Sequence, residues 1–266
     1  VLSLVPLTVS TWCPYRSAPK HGNGKFPIET LFITLISSPA ISVRLIHQRL
    51  NTKRMRKIWD IHGGIHPTEN KTQSLSEPIL QAAIPPYLYV PLSQHIGAAA
   101  KPIVKVGDKV LKGQTIAAAS AAVSVPVHAP SSGTVFAIEN KTVPHPSGID
   151  DLCIVIETDG LDQWRERKAR QNFNLFTDDE LLSIIRNAGI AGMGGAGFPA
   201  AIKLKSSDSK PINTLIMNGT ECEPYITADH SLMLEKANDI ATGLAILAKI
   251  IKPKKTLTFA ENFFYM

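Results

Sequence analysis

Apolar positions between residues 58 and 158 come in short runs, at 87–91, 103–106, 115–118, 124–127, 134–138 and 152–157. Gly, Pro, Asn and Asp separate them. The pattern predicts short strands joined by tight turns, evenly spaced as in a small barrel or sandwich. After about residue 170 the period lengthens. Thr177-Asp178-Asp179-Glu180 spells a capping box, with Thr177 as N-cap and Glu180 three residues on. Leu181, Leu182, Ile184 and Ile185 give the following helix an apolar face, and Gly189 closes it. A short helix is predicted from Pro199, a strand over 212–217, and a long amphipathic helix over 227–251 with Leu234, Ala237, Ala241, Leu244 and Ala248 on one face. A second strand is predicted over 256–260. Residues 1–54 show neither period and are expected to be a non-native or disordered extension, with Met55 the natural start.

The expected fold class is therefore α+β with several domains: a β module over 55–160, then an incomplete α/β domain over 170–266. Two turns sharpen the first part. Val106-Gly107-Asp108-Lys109-Val110 and Ala129-Pro130-Ser131-Ser132-Gly133-Thr134-Val135 each place Gly where a reversal is expected to need positive φ. Their wording, "VKVGDKVLKGQTI" then "VPVHAPSSGTV", resembles the lipoyl/biotinyl carrier fold, a barrel-sandwich hybrid. A carrier needs a lysine on the hairpin between its halves. Here that hairpin reads "AAASAAVSV" over 117–125, without one, so a structural or docking module is expected instead.

Charge narrows the choice of partner. The chain has a net charge of +6, but residues 1–54 hold seven basic groups and one acid, which leaves 21 of each sign in the rest. The bulk of the chain thus carries no electrostatic footprint for nucleic acid. Cys13, Cys153 and Cys222 are scattered and form no CxxC pair, so this chain alone supplies no disulfide framework and no zinc or iron–sulfur site. No run of 18 apolar residues predicts a membrane span, and the weak signal-peptide pattern at Lys20, Lys25 and residues 31–36 stands too far into the chain.

Candidate chemistry sits at two places. Gly192-Met193-Gly194-Gly195-Ala196-Gly197-Phe198-Pro199, with Lys203 beyond, puts four glycines in six residues, a composition that lets backbone approach a ligand closely. A helix from Pro199 would offer free N–H groups to a phosphate. Read as Gly192-x-Gly194-x-x-Gly197 it imitates the dinucleotide fingerprint, but a capped helix precedes it where the fingerprint requires a strand. Asn218-Gly219-Thr220-Glu221-Cys222-Glu223-Pro224-Tyr225 ends an apolar strand, where α/β folds bind ligands. Its amide, carboxylates and phenol suit a heterocycle and a ribityl chain. Thr227 and Asp229 read as helix caps.

"GMGGAGFPAAIKL" followed by "NGTECEPYITADHSLML" resembles the RnfC family, the C-type component of the Rnf ion-translocating electron-transport complex. More distantly it resembles the NADH-binding flavoprotein of respiratory complex I. "WDIHGGIHPTENK" (59–71) and "PLSQHIGAAAKP" (91–102) are similar to the N-terminal region of the Rnf protein alone. The resemblance implies FMN held by the Gly-rich loop with NADH stacked over it, at Gly192, Gly194, Gly195, Ala196, Gly197 and Phe198. It implies Lys203 near a phosphate or the adenosine, Asn218 bonded to the flavin, and Glu221 and Glu223 beside the cofactors. Thr220 stands where the complex I relative has aspartate. The resemblance further implies electron flow in either direction between NADH and ferredoxin, two [4Fe–4S] clusters whose ligands this chain lacks, other subunits as partners, and a peripheral place on the cytoplasmic face of a bacterial inner membrane. The family continues past 261, so the present end reads as a truncation or frameshift. The alternatives are a docking module without redox activity and an inactive product of a broken gene.

Overall fold

A computed structural model describes residues 67–144, 148–167, 172–192, 197–205, 211–221 and 223–260. The expected extension over 1–54 and the proposed start at Met55 lie outside them. The chain divides into two compact units. Among the described residues the first comprises 81–212 and 245–252, the second 67–80, 213–244 and 253–260.

Seven strands open the first unit: β1 (Tyr87–Pro91), β2 (Lys101–Pro102), β3 (Lys109–Val110), β4 (Thr115–Ala118), β5 (Val127–His128), β6 (Gly133–Thr142) and β7 (Asp150–Thr158). They form two antiparallel sheets, ordered β1-β7-β6-β3 and β2-β4-β5. Val90, Val110, Ile116, Val127, Val135 and Ile154 from both sheets share one core, which is the barrel-sandwich arrangement the turns suggested. In β7, Cys153, Ile154, Val155 and Ile156 are all buried, so this central strand is covered on both faces. Truncating Ile154 to Ala would cost about 2–5 kcal/mol, the usual loss for a fully buried aliphatic.

Three details differ from the expected β pattern. Residues 103–106 are not a strand: Ile103 and Val106 face solvent, and only Val104 packs on the core. The run 124–127 contributes Val127 alone to a strand. Gly107 has φ +93° as anticipated, but Gly133 has no positive φ. It opens β6 opposite Thr158, where a Cβ would lie 2.1 Å from the Glu157 carbonyl oxygen, so this glycine serves strand approach and not chain reversal.

Beyond the barrel, α1 (Asp178–Asn187) starts with the full capping box and ends at Gly189, φ +72°. It packs on α2 (Ala200–Leu204) through Leu181, Ile185, Ala201 and Leu204, joined by Ile250. In the second unit, β8 (Thr214–Gly219) and β9 (Lys255–Ala260) pair in parallel. The long helix expected over 227–251 is two helices, α3 (Ala228–Glu235) and α4 (Ala237–Ile251). Lys236 leaves helical geometry at φ −127° and ψ 29°. Asn238 and Asp239 then fall in the first turn of α4, where their side chains are better tolerated than in mid-helix. Leu234, expected on the apolar face, is exposed, while Ala241 and Leu244 are buried. No helix among the described residues is long and apolar enough to cross a membrane.

Candidate functional site

The Gly-rich loop begins where α1 ends. The Gly192 N–H donates to the Phe198 carbonyl at 2.9 Å, and Ala191 bridges Pro199, so the two ends of the loop are stapled together. Gly194, Gly195 and Ala196 lie outside the described residues. Gly197 sits at φ +58°, a left-handed conformation that favours glycine. Phe198 is half-buried, and the Lys203 ammonium lies 5.7 Å from its ring centroid. Burial pulls the Lys203 pKa below the usual lysine range.

One expectation about this loop fails. Pro199 caps a helix of only five residues and lies outside it, and the first helical amide, Ala200, already donates to the Ile190 carbonyl at 2.9 Å. The helix start is therefore not an open row of donors awaiting a phosphate. What remains is the loop backbone itself, without a preceding strand, which excludes the ordinary dinucleotide fingerprint.

The second cluster follows β8. Burial alternates along that strand, so Asn218 faces out with Ile216 while Gly219 turns in. The Asn218 Oδ1 accepts from the Thr220 N–H at 3.1 Å and from the Thr220 hydroxyl. Both bonds engage the carbonyl end of the amide, and its NH2 has no hydrogen-bond partner among the described residues. Glu221 behaves otherwise. Its carboxylate turns inward and accepts the backbone N–H groups of Asp229 at 2.8 Å and His230 at 3.1 Å, closing the first turn of α3. Burial raises its pKa above the usual glutamate range, the bond from the His230 N–H and the nearby Lys71 ammonium opposing this. Glu223 is exposed. Thr227 is the N-cap of α3 without a capping bond, its hydroxyl donating instead to the Ser74 carbonyl at 3.3 Å.

Residues 67–80 complete this second cluster. The Tyr225 N–H donates to the Glu69 carbonyl at 2.8 Å, the Ser74 hydroxyl to the Tyr225 carbonyl at 2.7 Å, and the Ile79 N–H to the Glu235 carboxylate at 2.8 Å. Lys71 is 8% exposed, a burial uncommon for lysine. Residue-by-residue reading missed these partners, and also His95, a buried imidazole beside Gly197. Both stretches, "HPTENK" and "SQHIG", belong to the segments that carried the family resemblance. That was the available signal, but it named no role.

Two family models match the chain. Residues 59–161 match the RnfC barrel sandwich hybrid domain, and 185–263 match the Nuo51 FMN-binding domain. Among curated proteins, the C-type component of the ion-translocating oxidoreductase complex of Vibrio cholerae O395 is 50% identical over 206 residues, 77% of this chain and 26% of that protein. The protein of the same name from Pectobacterium atrosepticum is 48% identical over 209 residues, 79% of this chain and 30% of its own length. That from Haemophilus influenzae PittEE is 45% identical over 206 residues, 77% and 32% respectively. The chain thus spans about a quarter to a third of the length of these relatives.

Proposed function

We propose, for a chain that belongs to the RnfC family of ion-translocating oxidoreductase complexes, that it is the flavin- and NADH-handling part of such a protein. The observation that carries the reading is Asn218. Its carbonyl is held by Thr220, and its NH2 is left as a donor on an exposed residue of β8. A flavin ring presents carbonyl and imine acceptors, so this donor fits the group that the Nuo51 match implies. When bound, FMN would take a hydride from NADH and release single electrons.

The protein's share is binding and orientation. In the first unit, Gly192 and Gly197 keep loop backbone free of side-chain bulk and Lys203 places a cation beside the Phe198 ring; in the second, Asn218 would donate to a flavin edge. Gly194, Gly195, Ala196 and Phe198 belong to the same loop by sequence and would share that role, and Glu223 would offer an exposed carboxylate to NADH. Glu221 acts at one remove, by fixing the turn through α3. No side-chain acid or base is required, since a hydride donor and acceptor held in contact need chiefly orientation. The [4Fe–4S] clusters, ferredoxin and the ion-moving subunits belong to the rest of the assembly, and the site would face the cytoplasm from the periphery of the membrane.

Flavin fluorescence titration tests this. Wild-type chain should quench FMN, and Asn218→Leu should weaken binding about fivefold to tenfold, the worth of one hydrogen bond to a bound ligand. Equal affinity in both would refute the assignment of Asn218. No quenching by wild type would refute flavin binding by this chain.

A further inference from the structure

We propose that the lysine-free hairpin of the barrel is a brace for the Gly-rich loop, and that His95 is the positioning residue that locks it. The proposal rests on the flavin reading for what the loop holds, but the brace itself stands on contacts within the first unit.

His95 is 8% exposed and uses both ring nitrogens. Its Nε2 accepts the Val125 N–H at 3.2 Å, which puts the proton on Nδ1, and Nδ1 donates to the Ile96 carbonyl at 3.0 Å. The imidazole therefore ties the outgoing arm of the hairpin to the strap 94–98. The next amide on that strap, Ile96 N–H, donates to the Gly197 carbonyl at 3.2 Å. The strap also fills the space beside Gly197: a Cβ there would lie 3.1 Å from the His95 Cα and 3.4 Å from the Gln94 carbonyl oxygen. Gly197 is thus held by a hydrogen bond and by shape.

The other end of the loop meets the same hairpin. The Arg186 guanidinium donates to the Ala121 carbonyl at 3.0 Å and to the Ala122 carbonyl at 3.4 Å. Gly189 lies so close that a Cβ would come within 2.6 Å of the Pro126 carbonyl oxygen and 3.2 Å of the His128 ring. The hairpin is itself anchored. The Ala98 N–H donates to the Val123 carbonyl at 3.0 Å, and the buried Ser124 hydroxyl accepts the Ser120 N–H at 3.1 Å. A carrier hairpin must swing with its prosthetic group, whereas this one commits its tip carbonyls to α1 and its arms to the strap. It is built to hold both ends of the loop at a fixed separation.

Hydrogen–deuterium exchange of the 190–199 peptide, measured without FMN on the full chain, tests the brace directly. His95→Leu should raise exchange there about tenfold, and His95→Gln, whose amide oxygen can accept the Val125 N–H, should stay within about twofold of wild type. FMN affinity should follow the same order, down about tenfold for Leu and restored by Gln. If His95→Leu does not fold, Arg186→Ala decides, with an expected rise of about fivefold in exchange of the same peptide. Wild-type exchange in a folded His95→Leu or in Arg186→Ala would overturn the brace. Raised exchange with unchanged FMN affinity would overturn its service to the flavin. Failure of wild type to bind FMN would overturn the proposed function alone, since exchange still judges the brace.

Discussion

The Glu221 carboxylate accepts the Asp229 N–H at 2.8 Å, so a residue of the proposed cofactor turn serves as the cap of the helix that follows it. Thr227, the cap by position, makes no such bond. Glu221→Ala should therefore cost about 1 kcal/mol, as loss of a helix cap does. Glu221→Gln keeps an acceptor and should hold or slightly raise stability at neutral pH. The sign follows from burial, which lifts the folded-state pKa above its unfolded value. The group then favours folding below the unfolded pKa, and that contribution is lost as pH rises through the raised value. Chemical denaturation across the glutamate range should show this slope in wild type and not in Glu221→Gln.

Glu223 offers the contrast. It is exposed and has no partner among the described residues, so Glu223→Gln should leave the melting temperature within about 1 °C, as surface substitutions do. NADH or FMN binding should nevertheless weaken. Calorimetric titration with each ligand checks this, and unchanged affinity for both would remove Glu223 from the site.

Gly197→Val should impair flavin retention, because it places a branched side chain at φ +58° with its Cβ 3.1 Å from the His95 backbone. The left-handed conformation alone costs about 1–2 kcal/mol for a residue with a Cβ. Gly195→Val, in the same loop, is expected to abolish retention. Flavin absorbance after gel filtration reports both.

In the first unit, Asp162 accepts from the Lys112 ammonium at 2.6 Å and from the Ser131 hydroxyl at 2.8 Å. The Lys112 bond first, and the Ser131 bond second, hold its carboxyl below the usual aspartate range. A depressed folded-state pKa gives stability that is present above the unfolded value and lost as pH falls through the folded one. Asp162→Asn should accordingly flatten the acid side of the barrel's stability profile below the ordinary aspartate range. Thermal melts from neutral pH downward measure it.

The barrel was legible where turn chemistry and burial agree. β1 and β4 stand at 87–91 and 115–118 as the apolar runs predict, and the Thr177–Glu180 capping box is present in both directions. Residues 103–106 misled because an apolar run does not say which side chains face the core, and only Val104 does. The long helix misled because periodicity carries across Lys236, whereas the Glu235 carboxylate is bonded to the Ile79 N–H, a partner no local window contains. In the candidate site, composition located the Gly-rich loop and the turn after β8. It could not reveal that Glu221 faces inward or that His95 stands behind Gly197, since both depend on contacts distant in sequence.

Ser74 and Tyr225 bond across 151 residues, and Ile79 and Glu235 across 156. During synthesis, then, the stretch 67–80 leaves the ribosome long before its partners exist, while the barrel strands that follow it pair with one another at shorter range. At ordinary elongation rates of about 5–20 residues per second, that stretch waits on the order of ten seconds. The barrel would be complete by then, and closure of the second unit would be the late, slow step of folding. A chaperone acting on this chain would find its client surface there: an early segment waiting for a late helix.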